Sequence, residues 1–230
     1  MAERKEKQVS AARVGKPAAQ GRRERNKQEK RDRIAEAAKA LFGSKGFADT
    51  TTQEIAEKAD IGTGTLFLYA KTKEDLLVMV FRDEIIAASL GAFRKMPAGL
   101  SLVDQLMHVF NAMVAYHNRD TELAKALLKE ITILTAPARR EDVRMLMKVI
   151  YDGIADLIAA RQKTGDLRQS VDPQLAAENL FAIYYLSLLG WLGGQTSKSA
   201  FIARLKIKLA IAIDGLADPA APRGKPGRKA

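Results

Sequence analysis

The stretch covering residues 51–73 restricts the fold of this chain more than any other, because it predicts two very short helices around a tight turn. Thr51 and Glu54 have the spacing of a capping box, in which each side chain satisfies a backbone amide at the start of a helix. Gly62 is expected to take the turn conformation, which a residue with a Cβ would resist. A second short helix is predicted from Thr63 to about Tyr69. This arrangement is a helix-turn-helix, whose second helix is slim enough to enter a DNA major groove.

Apolar residues recur at three- and four-residue spacing along most of the chain, which is typical of helices that bury one face. Residues 204–209 also alternate with period two, as in a strand, but Ile202, Leu205, Leu209 and Ile213 keep the helical spacing, and no partner strand is visible. We therefore expect an all-α protein. Beyond the short pair, helices are predicted to end near Ser44 and to cover about 73–95, 101–118, 121–135, 137–163, 173–192 and 199–215.

The net charge of +11 is concentrated in the two ends of the chain. Residues 1–30 hold ten Lys or Arg and four acids, and residues 218–230 hold four Lys or Arg and one acid, whereas residues 31–217 carry a net charge of only +2. Basic tails of this kind bind phosphate polymers or anionic surfaces, or else serve only as solubilising extensions. We expect a disordered basic arm at 1–30, which continues into the first helix near Arg25, and a basic tail at 218–230.

Several function classes are disfavoured by what the sequence contains. It has no cysteine, so disulfides and thiolate metal sites are excluded. His108 and His117 lie nine residues apart on one predicted helix and point to opposite faces, so they cannot share a metal. We expect no enzyme activity, no metal and no cofactor. The apolar run at residues 180–192 is shorter than the roughly 20 residues that span a bilayer, and no secretory signal is visible, so a cytoplasmic protein with a buried helix is predicted.

Residues 33–81 closely resemble the DNA-binding domain of the tetracycline-repressor (TetR) family. A short capped motif alone also occurs as an ordinary helical corner, but here an ordered set of matching residues extends over about fifty positions. The matching residues are Ile34, Ala37, Ala38, Leu41, Phe42, Gly46, Phe47, Thr50, Thr51, Ile55, Ala56, Ala59, Gly64, Thr65, Leu66, Lys73, Glu74, Leu76 and Leu77. The resemblance implies an N-terminal helix-turn-helix domain at 31–77 and a larger helical domain at 78–217 that binds a ligand and dimerises.

The resemblance also implies roles for individual residues of the helix-turn-helix. Gln53 stands where a base-reading side chain is common, and its amide can bond the N6/N7 edge of adenine. Tyr69 and Lys73 match positions that contact phosphates. Phe67 and Leu68 depart from the family pattern, which has Tyr and a polar or aromatic residue there. The predicted DNA-contacting residues are Thr51, Gln53, Thr63, Gly64, Thr65, Phe67, Leu68, Tyr69 and Lys73, and the near-neutral charge of 31–77 adds Arg22, Arg23, Arg25 and Lys27 of the arm.

Two further sets are predicted in the larger domain. Residues that could line a ligand pocket are Phe93, Met96, Met107, Phe110, Met113, Tyr116, His117, Met147, Tyr151 and Tyr184, although Met and Phe at helical spacing are more often plain core. The last two long helices would otherwise expose a large apolar patch, which predicts a homodimer interface. Its predicted residues are Phe181, Tyr185, Leu188, Leu189, Leu192, Ile202, Leu205, Leu209 and Ile213.

Taken together, these features predict a sequence-specific, DNA-binding transcriptional regulator, a homodimeric repressor that a small apolar or aromatic ligand releases from its operator. Two alternatives stay open on the sequence. One is a regulator of the same fold that answers to a protein partner without a small ligand. The other is a non-specific nucleic-acid or membrane-surface binder that depends on its basic tails.

Overall fold

The computed structural model describes residues 21–132 and 137–219, and these residues form nine helices and no strand. The helices are α1 (Arg22–Lys45), α2 (Thr52–Lys58), α3 (Thr63–Leu66), α4 (Lys73–Arg94), α5 (Leu102–His117), α6 (Thr121–Thr132), α7 (Pro137–Lys163), α8 (Pro173–Leu192) and α9 (Lys198–Asp214). The predicted all-α fold is confirmed. Most of the predicted arm, at 1–20, and nearly all of the predicted tail, at 220–230, lie outside the described residues.

Local side-chain caps explain where most of these helices begin. Capping boxes are present at Thr51 and at Thr72, whose side chains accept hydrogen bonds from the third residue of α2 and α4. Ser101 caps α5, and Asp172 caps α8 immediately before a proline in the first turn. Ser197 caps α9, which therefore begins one residue earlier than the sequence predicts. The alternating stretch at 204–209 lies inside α9, as expected from its helical spacing.

The turn between α2 and α3 differs from the prediction. Gly62 has φ −69° and an extended backbone, whereas Asp60 has φ 53° and takes the left-handed conformation. Aspartate tolerates this conformation better than most residues. Arg33 of α1 lies against it, with Nη1 at 3.6 Å from the Asp60 carboxylate and Nη2 at 3.5 Å from the Asp60 carbonyl oxygen. The left-handed residue of the turn is therefore Asp60, which Arg33 contacts from α1, and Gly62 does not take the left-handed conformation.

The start of α1 is a second correction. The sequence predicts a disordered arm at 1–30 that continues into the first helix near Arg25, but the helix begins at Arg22, and residues 22–30 continue directly into the rest of α1. Arg, Glu, Lys and Gln dominate this segment, and their straight side chains lose little freedom in a helix. Gln28 also donates a hydrogen bond of 2.7 Å to Asp32 one turn later. The basic side chains of this segment are therefore fixed on a helix.

Helix α4 lies at the centre of the molecule. It packs on α1 and also on α5, α6 and α7, while α8 packs on α7 and on α9. Six consecutive α4 residues, 76–81, are all buried, which shows that other helices surround this part of α4. The domain boundary predicted at residue 77 falls inside this helix, and one continuous apolar core extends across it. Helix α4 therefore belongs both to the helix-turn-helix and to the larger group of helices.

Helix α8 is apolar on nearly every side. By length and composition alone it could cross a bilayer, but 44% of its most apolar window is already buried against the rest of the fold. Its fully buried side chains include Leu180, Tyr184 and Leu188, which pack into the core. This arrangement agrees with the prediction of a buried helix at 180–192.

Candidate nucleic-acid interface and internal cavity

The start of α2 is held by a closed set of hydrogen bonds. Thr51 Oγ1 accepts from the Glu54 amide at 3.2 Å, and Glu54 Oε2 accepts from the Thr51 amide at 2.9 Å. Lys45 of α1 forms an ion pair with Glu54 and is the main reason why the pKa of this carboxyl is lowered to about 2, with the bonds from Thr51 adding to it. The Thr51 hydroxyl, predicted to reach phosphate, is thus engaged in the cap, donating to Glu54 at 3.0 Å.

The short helix α3 presents its predicted DNA-contacting residues outward. Leu66 is fully buried and anchors the helix in the core. Gly64 is exposed, and Thr63 and Thr65 are half-buried. Phe67 and Leu68, which follow at once, are 37% and 80% exposed and rank among the few large apolar side chains on the surface. Two polar hydroxyls, an open glycine and two apolar side chains therefore share one outward surface.

Gln53 and Lys73 have definite partners in the structure. Gln53 is exposed on α2, and its Nε2 donates to Glu57 Oε1 at 3.0 Å, one turn along the helix. Lys73 Nζ donates to the carbonyl oxygen of Ala48 at 2.8 Å and lies 4.7 Å from the centre of the Phe47 ring. Lys73 thus ties the start of α4 to the segment between α1 and α2.

The basic N-terminal part of α1 lies beside the recognition region. The Tyr69 hydroxyl donates to the carbonyl oxygen of Lys27 at 3.5 Å, which brings α1 and the segment after α3 together. Arg22, Arg23, Arg25 and Lys27 are all exposed. The segment of α1 that carries these four basic residues therefore lies near the helix-turn-helix, in contact with Tyr69 through the backbone of Lys27.

A small cavity lies inside the larger group of helices. Its volume is about 20 Å³, room for about one water molecule. Helices α4 to α8 all contribute to the wall, with Ile85 from α4. The lining residues are Ile85, Met113, His117, Leu128, Ile131, Leu146, Met147, Ile150, Phe181, Tyr184, Tyr185 and Leu188. None of them is an acid, Lys or Arg, so the lining is apolar apart from the histidine and the two tyrosines.

Two polar groups in this wall are buried without a hydrogen-bond partner among the described residues. They are Nδ1 of His117 and the hydroxyl of Tyr184, whose side chains are only 3% and 1% exposed. Burial lowers the pKa of His117 to about 4, so the imidazole is neutral at pH 7, and burial raises the pKa of Tyr184. Unpartnered buried polar groups cost stability and are rare in folded proteins. In a cavity wall, these two groups are available to hydrogen-bond a water molecule or a ligand.

Four of the residues predicted for a ligand pocket line this cavity: Met113, His117, Met147 and Tyr184. The others have different positions. Phe110 stacks on Tyr184 with ring centres 4.4 Å apart, and Tyr116 donates to Glu84, which also pairs with Lys39 of α1. Phe93 packs on α7 at Gly153, Tyr151 packs on Phe181, and Met96 and Met107 belong to the core or its edge.

Five of the nine predicted dimer-interface residues face inward, which corrects that part of the prediction. Phe181, Leu188, Leu192, Leu205 and Leu209 are each at most 5% exposed within the single chain. Tyr185, Leu189, Ile202 and Ile213 are half-buried against the same core. The exposed large apolar residues on these two helices are instead Leu175, Leu186, Ile207 and Ile211, each between 61% and 69% exposed. Because α8 is apolar all round, its composition could not show which side faces the core.

Buried ion pairs join α4 to the helices that form the cavity. Arg139 of α7 lies with Nε 3.1 Å from Asp75 Oδ1 in the first turn of α4, and it also pairs with Glu130 of α6. Arg82, further along α4 and only 7% exposed, pairs with Asp142 of α7. Asp75 also accepts from the amides of residues 71 and 72, directly after the helix-turn-helix. These contacts connect the cavity walls to the base of the recognition region.

Comparisons with known proteins agree with this geometry. Residues 34–80 match the family model of bacterial regulatory proteins, tetR family. The HTH-type transcriptional regulator RutR of Escherichia coli (strain K12) is 30% identical over 156 residues, which cover 67% of this chain and 71% of that protein. The HTH-type transcriptional repressor KstR of Rhodococcus jostii (strain RHA1) is 26% identical over 193 residues, 83% of this chain and 86% of that protein.

A solved structure shows the same fold with a ligand. The TetR-family transcriptional repressor FadR of Thermus thermophilus, in complex with lauroyl-CoA, superposes on this chain with a TM-score of 0.68 at 26% sequence identity. The match covers 84% of this chain and 100% of that chain. The likeness therefore extends well beyond the helix-turn-helix, into the helices that surround the cavity.

Proposed function

Since this chain belongs to the tetracycline-repressor (TetR) family and is a DNA-binding transcriptional regulator, we propose that it acts in the cytoplasm as a homodimeric repressor that a small, mostly apolar ligand releases from its operator. One observation carries the proposal. Helix α4 supplies Ile85 to a small internal cavity with two unpartnered polar groups, and the same helix starts directly behind the recognition region.

The outward surface of α3 is the part that enters the major groove. Thr63 and Thr65 offer hydroxyls and methyl groups to phosphates, bases or thymine methyls, and the exposed Leu68 adds apolar contact. Gln53 reads a base edge once it exchanges its bond to Glu57, which is surface-exposed and worth little in water. Thr51, held in its cap, positions the start of α2 beside the backbone.

The N-terminal turns of α1 supply the positive charge that the helix-turn-helix lacks. Affinity for duplex DNA depends strongly on the number of phosphates that Lys and Arg neutralise. Arg22, Arg23, Arg25 and Lys27 are exposed, and the bond from Tyr69 to the backbone of Lys27 places them next to the recognition region. They contact the phosphate backbone as one helical extension.

The exposed apolar residues of α8 and α9 form the dimer interface. Ile207 and Ile211 lie one turn apart on α9, and Leu175 and Leu186 are eleven residues apart on α8, which returns them to the same side. A monomer would leave four large apolar side chains in water, and such patches mark sites of association. Pairing two copies through this face places the two recognition helices on successive major grooves of one operator.

Release follows from the geometry of the cavity. A cavity of about 20 Å³ is too small for an organic ligand, whose pockets are typically about 300–1,000 Å³. Binding must therefore move the surrounding helices apart. Because Asp75 and Arg82 bind α4 to α6 and α7, such a movement also moves α4 and the recognition region. The spacing of the two recognition helices then no longer fits the operator.

The test starts with selection of bound sequences from random duplex DNA. A specific regulator should prefer the selected site to random duplex by about a thousandfold or more. Equal affinity for both would reject the proposal in favour of a non-specific binder. Apolar ligands are then screened for release of that site; release by a protein extract alone, with no small ligand active, would favour the regulator without a ligand.

Replacement of Arg22, Arg23, Arg25 and Lys27 by Gln tests the role of α1. The change should reduce operator affinity and flatten its dependence on salt by roughly 0.9 in log–log slope for each lost phosphate contact. The preferred sequence should stay the same, because the α3 surface is intact. An unchanged slope would show that these side chains do not touch the backbone.

A further inference from the structure

A second, larger space lies just outside the internal cavity. It is an open groove of about 630 Å³ between α6 and the C-terminal end of α8. Its lining residues are Lys125, Leu128, Lys129, Thr132, Leu189, Leu192, Gly193 and Gly194. Leu128 lines both the groove and the cavity, so a single side chain separates the two spaces at that point.

Leu128 belongs to the wall that the groove and the cavity share. Leu128 is 4% exposed and fills the gap between the two spaces. Next to it, Thr132 of the groove and Tyr185 of the cavity share a hydrogen bond of 2.9 Å between their hydroxyls, which joins α6 to α8. Leu128 and the Thr132–Tyr185 hydrogen bond therefore lie between the groove and the cavity at this point.

The two spaces differ in charge. Lys125 and Lys129 lie one helical turn apart on α6, and both line the groove. Lys125 pairs with Glu122 at 2.7 Å, but both side chains are substantially exposed, so the pair is easily exchanged for another anion. The cavity lining, by contrast, has no acid, Lys or Arg. A positive groove that leads into an apolar cavity fits a molecule with an anionic head and an apolar chain.

We propose, building on the proposed function, that the ligand is an acyl chain carried on a phosphate-bearing head, of the acyl-CoA class. The head lies in the groove on Lys125 and Lys129, and the chain passes Leu128 into the cavity. The acyl carbonyl is an acceptor of the kind that the Tyr184 hydroxyl lacks. The chain pushes α6 and α7 away from α4, which transmits binding to the operator-binding surface.

The chemistry of the two spaces favours a phosphate-bearing head over a free carboxylate. A fatty acid wholly inside the cavity would bury its negative charge among apolar residues and a neutral histidine, which is strongly unfavourable. One with its carboxylate in the groove would bring a single charge to two lysines. Two lysines one turn apart instead offer two positive charges to a polyanionic head. The FadR repressor of Thermus thermophilus, which shares the fold, is itself bound to lauroyl-CoA.

Isothermal titration of the full, DNA-free protein tests this assignment. The probes are CoA thioesters with acyl chains of eight, twelve and sixteen carbons, the corresponding free fatty acids, and CoA itself. At least one thioester should bind about tenfold more tightly than its free acid. The Lys125→Gln/Lys129→Gln variant should lose about tenfold in affinity for that thioester and change little towards the acid. The matched control, Lys148→Gln/Lys163→Gln, removes two exposed lysines of α7, one of them ion-paired like Lys125, and should bind as the unmodified protein does.

A second variant tests the passage. Leu128→Trp enlarges the side chain that separates groove and cavity, so it should weaken thioester binding severely while CoA alone is little affected. Trp191, the only tryptophan of the chain, stacks on Phe201 just before the groove residues Leu192 and Gly193. Its fluorescence in the unmodified protein should change on thioester binding, and a thermal melt checks that Leu128→Trp is folded.

The outcomes separate this inference from the proposed function. If no thioester binds, or if the α6 and control variants lose affinity equally, the assignment of the groove is wrong. If the protein still selects an operator and another apolar ligand releases it, the proposed function stands without this inference. If no operator is selected but thioesters bind through Lys125 and Lys129, the ligand site stands and the repressor proposal fails.

Discussion

The helix-turn-helix and the internal cavity both depend on polar side chains, but the two regions treat these groups in opposite ways. In the helix-turn-helix, Thr51 and Gln53 are exposed and already hydrogen-bonded within their own helix. In the cavity, His117 and Tyr184 are buried, and one polar atom of each has no partner among the described residues. The first region is therefore stable without DNA, whereas the second retains a hydrogen-bonding deficit that a ligand can relieve.

The two regions also differ in the hydrogen bonds that each would gain on binding. DNA contacts replace weak bonds to exposed groups, so specificity there comes from geometry at the base edges. Contacts of the proposed ligand would fill missing bonds in a buried interior, where each hydrogen bond is worth more. The buried ion pairs of Asp75 and Arg82 join the two regions. Free energy gained by binding in the cavity can therefore be offset by free energy lost in DNA binding.

The largest effect is expected on dimer association, from substitutions on the exposed apolar face of α9. Ile207→Glu/Ile211→Glu places two charges on the exposed apolar face of α9. Each buried isoleucine contributes about 1.5–3 kcal/mol, and a dimer contains four of them, so association should weaken by at least about 6 kcal/mol. Sedimentation at micromolar concentration should show the unmodified protein near twice its chain mass of 25.2 kDa and the variant as a monomer.

A control separates this interface from general surface effects. Ala115→Glu/Ala160→Glu adds the same charge to exposed positions of α5 and α7 and should remain dimeric. The interface assignment would be refuted by a monomeric unmodified protein, or by a dimer that persists in the Ile207→Glu/Ile211→Glu variant. Leu209→Glu would not test it, because Leu209 is fully buried in its own chain.

The next effect concerns the junction between the two regions. Arg139→Met leaves the carboxylates of Asp75 and Glu130 without this cation, although both are largely buried. Loss of one partner of a buried pair costs roughly 3 kcal/mol or more, which denaturant unfolding can measure. The comparison is Arg144→Met on the same helix, whose pair with Glu141 is exposed, and which should cost under about 1 kcal/mol. Equal losses in both variants would show that the buried pair has no special role.

A smaller effect is expected at Gln53, where substitution tests whether this side chain reads a base. If the Gln53 amide reads a base edge, Gln53→Ala should cost about 1–3 kcal/mol at one operator position and relax the preference there. Lys73→Ala should weaken all sequences alike, because phosphates carry no base identity and the loss of its bond to Ala48 loosens the whole unit. Binding to a set of single-base operator variants measures both. A uniform loss for Gln53→Ala would mean that Gln53 does not read a base.

The smallest effect is expected in the pH dependence of stability, to which the buried His117 contributes. Because burial lowers the pKa of His117 to about 4 in the folded protein, its contribution to stability is complete above the unfolded pKa of about 6.5 and is lost as the pH falls from there to about 4. Unfolding at pH 5 should therefore require about 2 kcal/mol less than at pH 8 on account of this group.

Replacement of the histidine tests the source of that pH dependence. His117→Leu should remove the difference of about 2 kcal/mol between the two pH values. Met113→Leu changes the same cavity wall without removing a titrating group, so it should keep the pH dependence of the unmodified protein. A His117→Leu protein with the original pH dependence would show that His117 is not the group responsible.

Several features were accessible from the sequence because they depend on neighbouring residues. The caps at Thr51, Thr72, Ser101 and Asp172 lie within three residues of the amides that they bond, so their spacing is readable in one dimension. The inward face of α9 was also marked by its spacing, since Leu205 and Leu209 are buried one turn apart. The prediction went wrong in assigning that face to a second subunit instead of to the core of the same chain.

Other features could not be read in this way. Helix α8 is apolar on all sides, so only its packing shows that Tyr184 and Leu188 face inward and Leu186 outward. The groove on α6 was missed altogether, because Lys125 and Lys129 look like ordinary exposed lysines until Leu128 between them is found to adjoin the cavity. A single signal was available there, namely an apolar residue flanked by lysines one turn apart.

The helix-turn-helix, the helical class and the family were predictable from the sequence, since caps, turns and apolar spacing act between residues a few positions apart. The unpartnered polar groups, the exposed apolar faces and the joining of α4 to α6 and α7 became visible in the folded chain, because burial and ion pairing depend on neighbours far away in the sequence. Asp75 and Arg139 are 64 positions apart, and no local pattern relates them.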